Sequence, residues 1–129
     1  MHDKTKITKP HLLVIGGTGF IGYHLIRVAK KKRWKVSSVS LNKPKEYRYV
    51  NGVNYLKVDI TNLKKLKKKL NGSFTHIVNL GGYVNHSPVK SEKDKITKTH
   101  FIGLVNLITV LSNKKIKKFI QIGSSAEYG

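Results

Sequence analysis

Cysteine is absent from this 129-residue chain, which excludes disulfides, thiolate metal sites and a cysteine nucleophile, and leaves a reducing compartment allowed. Carboxylates are nearly as scarce. Six aspartates and glutamates stand against 26 lysines and arginines, giving a net charge of +20, and such a surface attracts polyanions in a salt-dependent way. Arginine, however, is limited to Arg27, Arg33 and Arg48. Base readout and bidentate phosphate recognition favour arginine over lysine, so no specific nucleic-acid partner is expected. The lysines fall in Lys30 to Lys32, Lys64 to Lys69, Lys90 to Lys98 and Lys114 to Lys118, and read as solvated helix faces and loop rims. No apolar run is long enough for a secretory core or a membrane span. Met1 to Pro10 form a polar, basic leader, and a cytoplasmic setting without a membrane partner is expected. Neither an internal repeat nor a low-complexity linker divides the remainder, residues 11–129, whose length suits one domain. His24, His76, His86 and His100 lack ligand-like spacing, so no metal site is expected.

What the chain does contain is Leu12-Leu13-Val14-Ile15 running into Gly16-Gly17-Thr18-Gly19-Phe20-Ile21-Gly22. A partly β-branched apolar strand meets a glycine-rich turn, and Phe20, Ile21, His24, Leu25 and Val28 then repeat at helical spacing. Gly17, Gly19 and Gly22 fit the dinucleotide fingerprint, and Gly16, Gly19 and Gly22 fit its wider variant. One glycine permits the tight turn, and another lets backbone N–H groups approach phosphates with no Cβ in the way. Gly22 lets the helix pack closely on the strand. The helix N-terminus adds unpaired donors and a partial positive charge.

The first helical pattern ends near Lys32. Lys35 to Ser40 alternates polar and apolar residues as a second strand, broken by Lys43-Pro44-Lys45. A third strand, Val53 to Val58, ends at Asp59. Thr61 or Asn62 then caps a helix that buries Leu63, Leu66 and Leu70. After Asn71-Gly72, Thr75 to Leu80 forms a fourth strand entering Gly81-Gly82. The longest helix lies between Ser87-Pro88 and Asn113, with Ser91 and Asp94 in capping-box-like positions. Its expected apolar face is Ile96, Phe101, Leu104, Leu107, Ile108 and Leu111. Gly103 inside it costs about 1 kcal/mol relative to alanine, which implies a closely packed neighbour. Lys118 to Ile122 is a fifth strand that delivers Gly123-Ser124-Ser125. This alternation predicts a doubly wound α/β fold with a parallel sheet in the order 3-2-1-4-5, stopping after the fifth strand. Ligands bind such sheets across the carboxyl ends of the strands, where the glycine loop, Asp59, Leu80 to Gly82 and Ser124 converge.

On these motifs the chain from His11 to Gly129 resembles the NAD-dependent epimerase/dehydratase family, nucleotide-sugar enzymes of the extended short-chain dehydrogenase/reductase superfamily with an NAD(P)-binding Rossmann fold. The resemblance implies that Gly16, Gly17, Thr18, Gly19 and Gly22 form the phosphate loop, with the backbone of Phe20 and Ile21 at the pyrophosphate. It implies that Asp59, followed by Ile60, meets the adenine amino group. Leu80, Gly81 and Gly82, in the motif opened by Asn79, would lie against the adenosine ribose and phosphates. Ser124, in Ser124-Ser125-Ala126-Glu127-Tyr128-Gly129, would be the catalytic serine that hydrogen-bonds substrate and the catalytic tyrosine. Structural alternatives stand beside these roles: Asp59 as a helix cap, Gly81-Gly82 as a plain turn, and Ser124 as a loop hydroxyl.

Two positions depart from the family pattern. Ser40, followed by Asn42 and Lys43, stands where a carboxylate would hold the adenine ribose hydroxyls. A 2′-phosphate is then not repelled, and the cofactor is NAD or NADP. His100 stands three residues before Gly103, where the family often has asparagine. The family's tyrosine and lysine, four residues apart on the helix after the serine-rich turn, would fall beyond Gly129, together with a sixth strand and the substrate lobe.

The implied function is the amino-terminal cofactor-binding portion of an NAD(P)-dependent nucleotide-sugar epimerase or dehydratase, silent alone. Its partner in the complete enzyme would be a nucleotide sugar, and a homodimer is allowed. A stand-alone nucleotide-binding module without turnover, and a basic RNA-associated relative of the superfamily, are the alternatives. Phe119, Ile120 and Ile122 are expected to lack cover and to favour self-association.

Overall fold

A parallel strand covered on both faces must be apolar at every position rather than at every second one, and Leu12, Leu13, Val14 and Ile15 are all buried. The computed structural model describes residues 9–80, 90–112 and 114–122. Its elements are β1 (His11–Ile15), α1 (Phe20–Lys31), β2 (Lys35–Ser40), a short 3-10 turn at Glu46–Arg48, β3 (Asn54–Lys57), α2 (Leu63–Lys69), β4 (His76–Asn79), α3 (Lys90–Leu111) and β5 (Lys118–Gln121). All strand pairs are parallel, in the order β3-β2-β1-β4-β5, as the alternating pattern predicts. The register aligns the carboxyl ends: Ile15 lies opposite Val39 on one side and Asn79 on the other, and Asn79 lies opposite Gln121.

Each face of β1 feeds a separate core. Leu13 and Ile15 pack with Val39, Val58, Leu66, Leu70, Phe74, Ile77, Leu107 and Leu111 beneath α2 and α3. Leu12 and Val14 pack with Ile26, Ala29, Val36 and Val53 beneath α1. Asn62 caps α2, its side-chain oxygen accepting from the Lys65 N–H at 3.1 Å. Phe119 and Ile120 of β5 are exposed, at 40% and 46%.

The buried face of α3 differs from the expected one. Phe101 and Ile108 are exposed, at 66% and 54%, whereas Asn106, Leu107 and Leu111 are buried and Gly103 lies on the same buried side. A polar residue explains the difference: the Asn106 amide donates to the Ile60 carbonyl at 2.8 Å, which turns the helix so that a side chain with no apolar signature faces inward. The capping-box reading of Ser91 and Asp94, and the burial of Ile96, lie outside the described side chains.

Gly103 has the close neighbour its position implies. A Cβ there would lie 2.6 Å from Ile60 Cδ1 and 2.7 Å from Cγ1. Gly103→Ala is therefore expected to lose about 1–3 kcal/mol by overpacking, offset in part by about 1 kcal/mol of regained helix propensity. Adding Ile60→Ala should recover part of that loss, read as a positive coupling energy in a denaturant double-mutant cycle. Simple additivity would place the two residues out of contact.

At the amino-terminal end of the central strand β1, His11 is wedged against the Phe74 ring, centroids 4.7 Å apart. Its Nδ1 donates to the Ser73 carbonyl at 2.9 Å, and its Nε2 lies 2.8 Å from the Ser37 hydroxyl and accepts from it. Burial pushes the imidazole below its ordinary 6.5, the hydrogen bond to Ser73 opposes this, and the Lys35 charge adds to the lowering. The native state therefore favours neutral His11, while the unfolded chain takes up the proton first as pH falls. Stability from this group is complete above 6.5 and is lost as pH drops through 6.5 towards the lowered folded value. The urea midpoint should fall between pH 7.5 and pH 5, and His11→Asn should flatten that fall; equal slopes for the two proteins would remove His11 from the effect.

Candidate functional site

The turn between β1 and α1 is the centre of the carboxyl edge. Gly16 has φ +85°, a left-handed conformation that favours glycine, and its N–H donates to the Val39 carbonyl at 2.8 Å. The loop is thereby tied to β2. Gly17 is crowded from below: a Cβ would lie 2.3 Å from Ser38 Oγ and 2.8 Å from Ile26 Cδ1. Gly22 is crowded by backbone, its Cβ falling 2.5 Å from Gly17 Cα and 2.8 Å from the Gly16 carbonyl. Gly19 is different. Among the described residues the nearest atom to a Cβ there is the Gly16 carbonyl oxygen at 3.8 Å, so its missing side chain leaves space on the open side of the loop.

Gly19 is also the N-cap of α1 and brings no side chain to cap it. The first intrahelical bond runs from the Tyr23 N–H to the Gly19 carbonyl at 2.9 Å, so the N–H groups of Phe20, Ile21 and Gly22 precede the ladder. Phe20 and Ile21 expose their side chains, at 64% and 63%. An anion placed over Gly19 would meet N–H donors and the positive end of a 12-residue helix with no Cβ between.

Around this centre Leu80, Asn79 and Asp59 fall along the same edge. Leu80 follows β4, and its N–H donates to the Ile15 carbonyl at 2.8 Å, which sets it beside the start of the loop. Asn79 is buried and donates to the Gln121 side-chain oxygen at 2.8 Å. Asp59 follows β3 and is exposed; one carboxylate oxygen accepts from the Thr61 N–H at 2.9 Å and from its hydroxyl at 2.7 Å. The cap of α2 is Asn62 instead, so Asp59 is not spent on that helix. An open cleft of about 700 Å³ runs past Leu41, Lys57, Asp59 and Asn62. Ile60 turns away from the cleft, its side chain against Gly103 and its carbonyl held by Asn106. Gly81, Gly82 and Ser124 lie outside the described residues.

Ser40 ends β2. Its hydroxyl and that of Ser38 are buried and have no hydrogen-bond partner among the described residues. Sequence reasoning missed Arg48, whose Nη1 donates to the Thr18 carbonyl within the glycine loop at 3.4 Å. The available signal was slight: it is the one arginine between β2 and β3. Among the described residues no group of three or more histidines and carboxylates could hold a metal. His24 packs edge-on against Phe20 and Tyr23.

Residues 12–129 match the NAD dependent epimerase/dehydratase family. The chain belongs to that family. Among curated proteins, the dTDP-D-glucose 4,6-dehydratase of Dictyostelium discoideum is 25% identical over 149 aligned positions, taking in all of this chain and 32% of that protein. The chain thus spans about a third of the length of that relative. Solved structures with the same fold include the UDP-glucose 4-epimerase of Bifidobacterium longum in complex with NAD+ and UDP, at TM-score 0.78 and 20% identity over 92% of this chain and 38% of that one. The WbmG enzyme of Bordetella bronchiseptica in complex with NAD superposes at TM-score 0.74, with 18% identity over 98% of this chain and 41% of its own. The Thermotoga maritima UDP-glucose 4-epimerase with UDP-glucose gives 0.75 and 22% identity over 86% of this chain and 37% of that one. Among the described residues no helix is long and apolar enough to cross a membrane.

Proposed function

We propose that residues 11–129 are the dinucleotide-binding portion of an NAD(P)-dependent nucleotide-sugar epimerase or dehydratase, preceded by a basic leader and working in the cytoplasm. The observation that carries this reading is Gly19. Of Gly17, Gly19 and Gly22 it alone would carry a Cβ that crowds no described atom, the nearest being 3.8 Å away, and it sits where α1 presents its first N–H groups. A pyrophosphate fits that cradle. Asp59 would meet the adenine amino group from the far side of the cleft, with Leu80, Gly81 and Gly82 against the adenosine ribose and phosphates.

When bound, the nicotinamide supplies hydride exchange with a sugar carbon. The chain's own residues would hold the dinucleotide across the strand ends, and Ser124 would hydrogen-bond the reacting sugar hydroxyl. Moving that hydroxyl's proton needs a further acid–base group. In this family a tyrosine backed by a lysine four positions on does this work, and none of the tyrosines in the 129 residues has a lysine at that spacing. The chain by itself is therefore proposed to bind dinucleotide without turnover. A homodimer belongs to the same reading, supported by Phe101, Ile102, Val105 and Ile108, which are exposed along α3.

The test is calorimetric titration of the chain with NAD and NADP, followed by incubation with UDP-glucose and dTDP-glucose while sugar products are monitored. Saturable dinucleotide binding without product is the expected result. Absence of binding would overturn the cofactor reading, and product would overturn the silent one.

A further inference from the structure

The β2–β3 connection brings a cation to the glycine loop. Arg48 lies in the 3-10 turn Glu46–Arg48 and is half-buried. Its Nη1 reaches the Thr18 carbonyl at 3.4 Å, and its Cζ sits 5.5 Å from the centre of the Tyr47 ring. That bond is long and uses one N–H of a planar fork that carries five. The arginine is thereby aimed at the loop with donors to spare. The end of β2 meets the same loop, the Gly16 N–H donating to the Val39 carbonyl at 2.8 Å. Side chains alternate along a strand, and Val36 packs in the core beneath α1, so Ser38 and Ser40 face the side of the sheet that carries α1 and the loop. The buried Ser40 hydroxyl there has no described partner.

The charges in this region are positive with one exception. From Ile15 to Lys45 the sequence contains no aspartate or glutamate. Lys43 and Lys45 flank Pro44, and Glu46 is the sole carboxylate of the β2–β3 connection. A ribose with free 2′ and 3′ hydroxyls offers donors that a carboxylate accepts; a 2′-phosphate offers only negatively charged acceptors, which need a cation and hydroxyl donors. Arg48 and Ser40 are the second kind of set. Arginine's fork suits phosphate better than lysine's point charge.

We propose that Arg48 is the specificity-determining residue for cofactor choice, binding the 2′-phosphate of NADP with the Ser40 hydroxyl as a second donor, so that this chain prefers NADP to NAD. The inference rests on the reading that the glycine loop holds the pyrophosphate. Held by the Thr18 carbonyl, the guanidinium is oriented before ligand arrives, which lowers the ordering cost of binding.

The test compares four probes on the purified 129-residue chain: NADP, NAD, 2′,5′-ADP and 5′-ADP, titrated against wild type, Arg48→Met and Arg48→Lys. Thermal melts establish that each variant is folded. Wild type should bind NADP at least about tenfold more tightly than NAD, the scale of a charge-assisted hydrogen bond. Arg48→Met, which keeps the apolar stem, should lose that margin for NADP and for 2′,5′-ADP, while NAD and 5′-ADP change by less than about twofold; Arg48→Lys should restore part of it. If Arg48→Met does not fold, the wild-type preference for 2′,5′-ADP over 5′-ADP and its reduction in Arg48→Lys decide. Tight NAD binding with weak NADP binding by wild type overturns the role of Arg48 and leaves the loop reading intact. Equal losses for all four probes make Arg48 a brace of the loop, and unchanged affinities remove it from the site; either overturns the proposal. Binding of none of the probes by folded wild type overturns the loop reading and this inference together.

Discussion

Gly22→Ala is expected to cost about 3 kcal/mol or more, the upper range for forced overpacking, and to lower the melting temperature by on the order of 10 °C. The added methyl would stand 2.5 Å from Gly17 Cα, 2.8 Å from the Gly16 carbonyl oxygen and 2.9 Å from Gly17 C. All three are backbone atoms, so no rotamer change relieves the contact. The loop itself cannot shift freely, because the Gly16 N–H is tied to Val39 and the Leu80 N–H is tied to Ile15. Relief must come from moving α1 off the sheet, which opens the core formed by Ile26, Ala29, Leu12 and Val14. A domain whose total stability is about 5–15 kcal/mol has little room for that. A chemical-denaturation midpoint equal to wild type would show that the helix does not pack on the loop as described.

Gly19→Val is expected to do the reverse, leaving the melt within a few degrees of wild type while reducing dinucleotide affinity by about a hundredfold or more, the equivalent of losing two charge-assisted hydrogen bonds. Gly19 has φ −81° and ψ −178°, which any L-residue adopts, and the closest described atom to its added Cβ is 3.8 Å away. The described fold therefore has room for a Cβ at this position. A phosphate drawn to the N–H groups of Phe20, Ile21 and Gly22 does not, since the valine methyl groups would occupy the approach. Paired with Gly22→Ala, this substitution separates a glycine needed for packing from one needed for access. Unchanged affinity in a folded Gly19→Val protein would mean that the pyrophosphate is not held there.

Much of the architecture was legible because it rests on patterns that survive in one dimension. The second strand was bounded at Lys35 and Ser40 from alternation and a following proline, and the structure has the same limits. The order of strands follows from alternating elements and right-handed crossovers. Gly103 was legible as a close approach because glycine is costly inside a helix, and Ile60 is the residue it admits. The facing of α3 was not legible. Asn106 is buried by a single hydrogen bond to Ile60, and a polarity pattern assigns such a residue to solvent.

The site was readable in part for the same reasons. A glycine fingerprint states that a loop approaches phosphate, but only the three-dimensional neighbours distinguish Gly19 from Gly17 and Gly22. Asp59 could have been a cap or a ligand-facing carboxylate; Asn62 takes the cap, and Asp59 is left exposed at the mouth of the cleft. Arg48 could not be reached from periodicity at all. It lies in an irregular connection, 30 positions from Thr18, and its neighbourhood exists only once β2 and β1 are paired.

Hydrogen–deuterium exchange of the chain with and without saturating NAD or NADP, read by mass spectrometry at peptide resolution, tests most directly whether the carboxyl edge of this sheet is a dinucleotide site. Slowed exchange is predicted for the amides of Gly16 to Gly22, the turn and first helical donors, with Gly19→Val removing the protection at ligand concentrations that protect wild type. Exchange through Gly16 to Gly22 that is indifferent to both dinucleotides, or protection confined to other segments while ligand is bound, would contradict the account.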